Sequence, residues 1–215
     1  LNLKDGYDLG AEFFRWEFAT AVACSVLGVN SFDQPDVQFN KTLTKQKVED
    51  YLQKGQMEEG DPIWSQGSVK IFGQSFPHLA QAASLQEAVL AFLQQARPGD
   101  FVAINAYLPR NAKTLSALQA VRKAILKRTG CATTLGFGPR FLHSTGQLHK
   151  GGPNTGLFLQ ITSDPAHDFD IPSEGLSFGT LERAQALGDL EALLAHQRRA
   201  VRVHLPLEAL LSIIK

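Results

Sequence analysis

A short segment, residues 138–153 (GPRFLHSTGQLHKGGP), concentrates side chains that can exchange protons or donate hydrogen bonds. An imidazole that titrates near neutral pH can move a proton or bond to a ligand oxygen, so His143 is the first catalytic candidate. Burying such polar groups without partners would cost about 1–3 kcal/mol each. The segment is therefore expected to lie in solvent or to surround a polar ligand. The other side chains that could contact this ligand are Ser144, Thr145, Gln147 and Lys150.

A second polar segment, residues 32–41, reads FDQPDVQFNK. Its Lys41 offers a point charge suited to an anionic oxygen. Residues 32–37 are expected to form a turn, because Pro35 restricts Gln34 to extended backbone geometry, and a helix is predicted over 44–54. Gln34 could bind a hydroxyl group or cap the following helix. Taken alone, a surface lysine or a loop histidine is most often merely solvated, so the hypothesis of a site depends on the two segments together.

Other site chemistries fit the chain poorly. The spacing of His143 and His149 is not that of a helical metal-ligand pair, and the Gly-Gly pair is not followed by the Lys-Ser/Thr of a phosphate-binding loop. Ser144 lacks the Gly-x-Ser-x-Gly elbow of serine hydrolases. No metal and no cofactor are therefore expected.

The amino-acid composition and net charge limit the classes of partner that the chain could bind. The 215 residues contain 21 Lys plus Arg and 21 Asp plus Glu, so the formal net charge is zero. This balance argues against nucleic acid or an anionic membrane as the main partner. The sequence has no apolar run of the ~20 residues that a membrane helix needs and no signal peptide. Its two distant cysteines form no metal or redox pattern, which favours a cytoplasmic protein with free thiols.

Strand and helix patterns alternate along most of the chain. This alternation predicts an α/β fold, a doubly wound three-layer sandwich with a mainly parallel sheet and helices on both faces. Ligands of such sheets bind at the carboxyl ends of the strands, and the segment after Leu135 lies at such an end. The predicted strands are 101–107, 131–135, 157–162 and 201–205, and the main helices are 84–96, 111–128 and 178–195.

The chain is expected to form a single domain over residues 1–215, with an internal loop at 55–68 that is rich in glycine and acidic residues. An N-terminal helix is predicted over 9–27, and its aromatic cluster around Trp16 is assigned to the core or to a subunit interface. The chain starts at Leu1 and its only methionine is Met57, which predicts a segment of a longer polypeptide.

The segment FDQPDVQFNK resembles the C-terminal signature of phosphoglucose isomerases. In that family the glutamine lies at the sugar-phosphate site and the lysine contacts the reacting sugar, which implies these roles for Gln34 and Lys41. Asp36 and Gln38 depart from the Gly and Glu of the signature. The matching residues are Phe32, Asp33, Gln34, Val37 and Lys41.

The segment GPRFLHSTGQLHKGG resembles the same family's histidine segment, which implies that His143 helps to open the sugar ring. In ordinary members this segment precedes the lysine segment, whereas here it follows. This order and the downstream SFGTLERAQALGDL are similar to the isomerase half of bifunctional transaldolase/phosphoglucose isomerases. The resemblance implies a sugar-isomerase (SIS-type) domain.

The resemblance implies interconversion of glucose 6-phosphate and fructose 6-phosphate by ring opening and an enediol, without a cofactor. The family's general base is a glutamate shortly before the histidine segment, but residues 124–134 (AILKRTGCATT) contain no carboxylate. The base and the phosphate loop are therefore expected in a missing N-terminal half, and the chain alone is expected to be inactive or nearly so. The expected partners are a phosphohexose, that N-terminal half and, as an open alternative, further copies of the chain.

Two other classes of function remain open. A non-catalytic sugar-phosphate sensor would bind the ligand without isomerising it. An assembly module, using the aromatic helix around Trp16, would form oligomers that ignore sugar phosphates.

Overall fold

The computed structural model describes residues 2–214, and the chain divides into two compact units between Pro35 and Asp36. The first unit contains one helix, α1 (Gly6–Leu27). The Asp5 carboxylate caps its N-terminus by accepting hydrogen bonds from backbone N–H groups of the first turn. Gly28 ends the helix in the left-handed conformation, with φ at 69°. The helix predicted over 9–27 is confirmed.

The aromatic residues of α1 are exposed, so their assignment to the core is wrong for this chain. Phe13, Phe14, Trp16 and Phe18 each expose between 61% and 69% of their surface. Because successive helical residues are rotated by about 100°, four aromatic residues within six positions point in several directions. No one helix face can therefore bury them all. The alternative assignment to a subunit interface stays a prediction.

The second unit alternates strands and helices as the sequence predicts. Two short 3₁₀ helices, Arg140–His143 and Leu207–Ile213, complete it. The regular helices are α2 (Pro35–Lys54, starting at the unit boundary), α3 (Leu85–Leu93), α4 (Ala112–Thr129), α5 (Thr145–Gly151) and α6 (Phe178–Ala195). The strands are β1 (Trp64–Gln66), β2 (Val69–Gly73), β3 (Phe101–Tyr107), β4 (Ala132–Phe137), β5 (Gly156–Thr162) and β6 (Arg199–His204).

The six strands form one sheet in the order β1-β2-β6-β5-β3-β4. The four strands from β6 to β4 are parallel, and the hairpin of β1 and β2 adds to β6 antiparallel. One face of the sheet packs against α3, α4 and the last 3₁₀ helix, while the other packs against α6. The predicted three-layer α/β sandwich is confirmed.

The region 55–68, predicted as a loop, contains a strand. Residues 55–63 form neither helix nor strand, but β1 follows them and pairs with β2. Gly67, with φ at 59°, belongs to the hairpin turn rather than to an open loop. Trp64 anchors the hairpin because its side chain is buried and its Nε1 donates a hydrogen bond to the carbonyl of Ala82 at 2.8 Å.

Candidate functional site

The predicted histidine segment forms the crossover after β4. It folds as the 3₁₀ helix Arg140–His143 followed by α5. His143, Ser144 and Thr145 are all exposed at the junction between these two helices. A ligand could therefore reach all three side chains, although Ser144 Oγ already donates a hydrogen bond to the carbonyl of Phe141 at 3.2 Å.

The second half of the segment turns inward. Gln147 is half-buried, whereas Lys150 is only 2% exposed and its Nζ lies 2.5 Å from Oδ1 of Asp189 on α6. A lysine in this position cannot reach a ligand without breaking a buried ion pair. The substrate-binding role predicted for Lys150 is therefore replaced by a structural one, because α5 packs this face against α6.

Asp189 is the centre of a buried polar network. Besides Lys150, the carboxylate accepts a hydrogen bond from Nε2 of Gln160 at 3.3 Å, and the same amide donates to the carbonyl of Ala186 at 3.0 Å. Burial, and then the Asp189 carboxylate, raise the pKa of the Tyr107 hydroxyl well above its ordinary value. The hydrogen bonds join β5, α5 and α6, and the Asp189 carboxylate balances the positive charge of the Lys150 ammonium.

His149 lies beside this network among aromatic rings. Its imidazole centroid is 4.9 Å from that of Phe158 and 6.0 Å from that of Phe141. Burial lowers the pKa of His149 to about 4, although Asp189 acts in the opposite direction. The imidazole is therefore neutral at physiological pH and acts as a core side chain.

This burial predicts a pH-dependent stability. The unfolded chain protonates His149 near pH 6.5, whereas the folded protein resists protonation until about pH 4. Stability conferred by the neutral ring is thus complete above pH 6.5 and is lost progressively as the pH falls toward 4. Between pH 7.5 and 5.0 this one group should lower the free energy of unfolding by about 2 kcal/mol.

Urea unfolding at pH 7.5 and 5.0 measures the effect. His149→Phe keeps an aromatic ring in the cluster but cannot titrate, so its loss of stability should be about 2 kcal/mol smaller than that of the unmodified protein. His78→Asn is the control, because His78 is exposed and its φ of 65° suits asparagine. Equal losses in His149→Phe and in the unmodified protein would contradict the prediction.

The other predicted segment does not form the expected turn. The helix α2 starts at Pro35, whose fixed φ suits a first helical position. Lys41 therefore lies on a helix, where its side chain is exposed while Val37 and Leu43 are buried. Among the described residues, no hydrogen bond or ion pair joins Lys41 to His143. Gln34 is exposed and lies in the first unit, directly before α2.

A cleft of about 700 Å³ opens at the carboxyl ends of the parallel strands. It lies where β3 and β5 are neighbours but send their following helices, α4 and α6, to opposite faces of the sheet. Such a switch point is where open α/β sheets bind ligands. The walls are residues 107–110, 138–139, 162–165, 167–168, 178–183 and 185–186, with Arg202 and His204. His143, Ser144, Thr145, Gln147 and Lys41 do not line this cleft.

Two arginines of the cleft share one carboxylate. Arg183 Nε lies 2.6 Å from Glu59 Oε1, and a second guanidinium nitrogen of Arg183 contacts the same oxygen. Arg202 Nη2 lies 2.6 Å from Glu59 Oε2. Burial by itself would raise the pKa of Glu59, but Arg202 and Arg183 outweigh it and hold this pKa below its ordinary value.

The N-terminus of α6 faces the cleft but is already capped. Asp168 accepts a hydrogen bond from the Gly179 N–H at 2.8 Å, and Ser177 Oγ accepts one from the Thr180 N–H at 3.1 Å. The hydrogen bond from Ser177 is the main cause that lowers the pKa of Asp168. This helix end is therefore not a vacant anion site.

Glu182 and His204 also belong to the ionisable lining, together with Arg110, Asp164 and His167. Glu182 is half-buried, and no hydrogen bond or ion pair within residues 2–214 involves its carboxylate; burial and Asp168 raise its pKa. His204 Nδ1 lies 3.1 Å from Thr162 Oγ1, and burial lowers the pKa of this imidazole. The cleft thus combines guanidinium, imidazole and carboxylate groups around one space.

Sequence reasoning missed this constellation. One signal was present: Arg202 interrupts the otherwise apolar strand pattern around residues 201–205, where a charged side chain needs a buried partner. Glu182 and Arg183 lie on a helix whose pattern is typical of an ordinary surface, so nothing local distinguishes them.

The described residues hold neither a cluster of metal ligands nor a helix that could span a membrane. Residues 2–214 contain no group of three or more His, Cys, Asp or Glu side chains that could hold a metal ion. Within the same range, none of the helices is both long enough and apolar enough to cross a membrane.

Comparisons with known proteins supply no family. No protein-family model matches the chain, and no curated protein matches it. The solved structures that match include a hypothetical protein from Thermus thermophilus, with 21% sequence identity and a TM-score of 0.48. The match covers 62% of this chain and 40% of that protein, so the chain spans less than half of its length.

Proposed function

We propose that this chain is the sugar-isomerase part of a cytoplasmic glucose-6-phosphate isomerase, and that its cleft between β3 and β5 binds a phosphohexose. The observation that supports the proposal most is the cleft itself, where arginines, histidines and an unpaired carboxylate surround about 700 Å³. This volume suits a small polar metabolite. The resemblance of the two sequence segments to phosphoglucose isomerases supplies the choice of sugar.

In this proposal the guanidinium groups bind the phosphate and the remaining polar groups bind hydroxyls. Arginine suits a phosphate because its planar fork donates two parallel hydrogen bonds. Carboxylate and imidazole side chains accept from and donate to sugar hydroxyls, and Glu182 and His204 are the groups so placed. A cleft with both kinds of group favours a phosphorylated sugar over either free sugar or free phosphate.

The chemical roles follow from the family resemblance. His143 assists ring opening by proton transfer, and Lys41 stabilises negative charge on the sugar oxygens as the enediol forms. Both side chains are exposed but neither lines the cleft, so these two roles rest on the resemblance alone, and activity assays test them separately from binding in the cleft. A glutamate from another part of the enzyme transfers the proton between the two carbons.

Calorimetric titration of the chain tests the binding part of the proposal. We expect fructose 6-phosphate to bind at least tenfold more tightly than fructose or inorganic phosphate, because each probe lacks one half of the contacts. In an NMR titration, the imidazole signals of the cleft residues His167 and His204 should shift, while that of His78 outside the cleft should not. No binding, or equal binding of fructose 6-phosphate and inorganic phosphate, would refute the proposal.

Catalysis separates this proposal from a sugar-phosphate sensor, which is supported by the same cleft. A sensor binds fructose 6-phosphate but produces no glucose 6-phosphate. Isomerisation by the complete enzyme, measured by a coupled assay, decides between the two functions.

A further inference from the structure

The contacts around Glu59 describe an anion site that is filled from within the chain. We propose that Arg183 and Arg202 form the binding site for a phosphate monoester, and that Glu59 is an internal substitute which the phosphate displaces. The nature of the sugar attached to the phosphate rests on the proposed function; the anion site does not.

The surroundings of the Arg202 side chain favour the binding of an anion. It is 2% exposed, and its guanidinium carbon lies 4.2 Å from the ring centroid of Phe72, which fixes its plane. Its Nε has no hydrogen-bond partner within residues 2–214, although the atom is buried. A buried donor without a partner is costly, so this guanidinium retains an unused hydrogen-bonding position beside the cleft.

The charges at the site are unequal. Two guanidinium groups contact a single carboxylate, and Glu59 and Lys70 both line a neighbouring groove. At these contacts two positive charges meet one negative charge, so a phosphate with a charge near −2 would balance the two guanidinium groups better than a carboxylate does. The carboxylates that oppose an anion from the cleft side are Asp164, Asp168 and Glu182.

The segment that carries Glu59 is a loop, so its displacement would break no helix or strand. Residues 55–63 form neither helix nor strand, and Gly55 and Gly60, both with φ at 72°, bracket Glu59. Its neighbour in the site, Arg183, exposes 53% of its side chain. Movement of this short loop would release one face of Arg202 and all of Arg183 without disturbing the sheet.

Competition between Glu59 and phosphate for the two arginines should lower the affinity for phosphate. An incoming phosphate must replace the hydrogen bonds that Glu59 makes with both arginines, so the observed affinity is lower than the arginines alone would give. Glu59→Gln keeps the size of the side chain but removes its charge. Because hydrogen bonds to charged groups are the stronger ones, we expect inorganic phosphate to bind this variant about tenfold more tightly.

The test is calorimetric titration with inorganic phosphate and with fructose 6-phosphate at fixed ionic strength. Arg183→Gln should weaken binding of both probes about tenfold, since it removes one fork of the site. Glu58→Gln is the matched control, because within residues 2–214 this adjacent carboxylate pairs only with the exposed Lys54, and its loss should change neither affinity. Phosphate binding that is unchanged or weaker in a folded Glu59→Gln protein overturns the inference.

If Glu59→Gln does not unfold cooperatively, Glu59→Asp serves instead. Its shorter carboxylate keeps the charge but cannot bridge both arginines, so tighter phosphate binding is still expected, and unchanged binding again overturns the inference.

The two proposals fail in different ways. Fructose 6-phosphate binding that depends on neither Glu59 nor Arg183 refutes the anion site, and it leaves the phosphohexose function standing with the phosphate on another group of the cleft, such as Arg110. Phosphate binding that strengthens in Glu59→Gln, with no preference for fructose 6-phosphate over inorganic phosphate, confirms the anion site and refutes the phosphohexose function.

Discussion

Replacing Lys150 by methionine is expected to lower the free energy of unfolding by about 3–5 kcal/mol. The substitution removes one partner of an ion pair in which both side chains are almost completely buried, and it leaves the Asp189 carboxylate without a counter-charge. Methionine is similar in length to lysine, so the loss arises from charge and not from a cavity. Urea unfolding followed by circular dichroism measures it.

Two variants isolate the electrostatic cause. The double variant Lys150→Met/Asp189→Leu removes both charges together and should recover most of the stability, because neither group is then buried alone. Lys123→Met replaces an exposed lysine of α4 and should change stability by less than about 0.5 kcal/mol. A fully stable Lys150→Met protein with weakened fructose 6-phosphate binding would restore the original substrate-binding role of Lys150.

Removing the imidazole of His143 in the complete enzyme is expected to lower kcat about 10²–10⁴-fold, the usual contribution of a general acid or base. His143→Ala should leave the free energy of unfolding nearly unchanged, because the side chain is exposed. The coupled isomerase assay and urea unfolding together separate a catalytic effect from a structural one.

Substrate choice and neighbouring residues supply the controls. If His143 acts in ring opening, His143→Ala should be less impaired on the open-chain fraction of the substrate than on the cyclic form. Lys41→Ala should also lose activity, whereas Lys45→Ala, an exposed lysine one turn further along α2, should not. Full activity of His143→Ala and Lys41→Ala would show that neither residue takes part in catalysis.

Local patterns in the sequence were sufficient for α3, α4, α6 and the strands β3 to β6 of the second unit, but not for β1, α5 or the start of α2. Ser84 and Glu87 illustrate why: the Ser84 hydroxyl accepts from the Glu87 N–H, and the Glu87 carboxylate accepts from the Ala83 N–H, so the start of α3 is specified within five residues. The alternation of such helices with apolar strands leads to a parallel sheet covered on both faces. These features could be predicted because neighbouring residues determine them.

Lys150 and Lys41 show what local sequence patterns cannot predict. The composition of residues 138–153 correctly predicted exposed polar groups at His143 and Ser144, but the same composition could not separate them from the buried Lys150. The difference arises because one face of α5 packs on α6 and meets Asp189, a residue 39 positions away. The helical position of Lys41 is likewise not predicted, because Pro35 suits a turn as well as the first position of a helix. In the structure Pro35 starts α2.

By itself the sequence determined the class of fold, the order of its main helices and strands and the exposure of His143, since hydrophobic periodicity and capping act over a few residues. Only the tertiary structure decided which charged side chains form ion pairs. Glu59 and Arg202 are separated by 143 positions, and they form an ion pair because the sheet places β6 beside β2. This strand order, in a sheet that is buried between two helical layers, brings the two residues together.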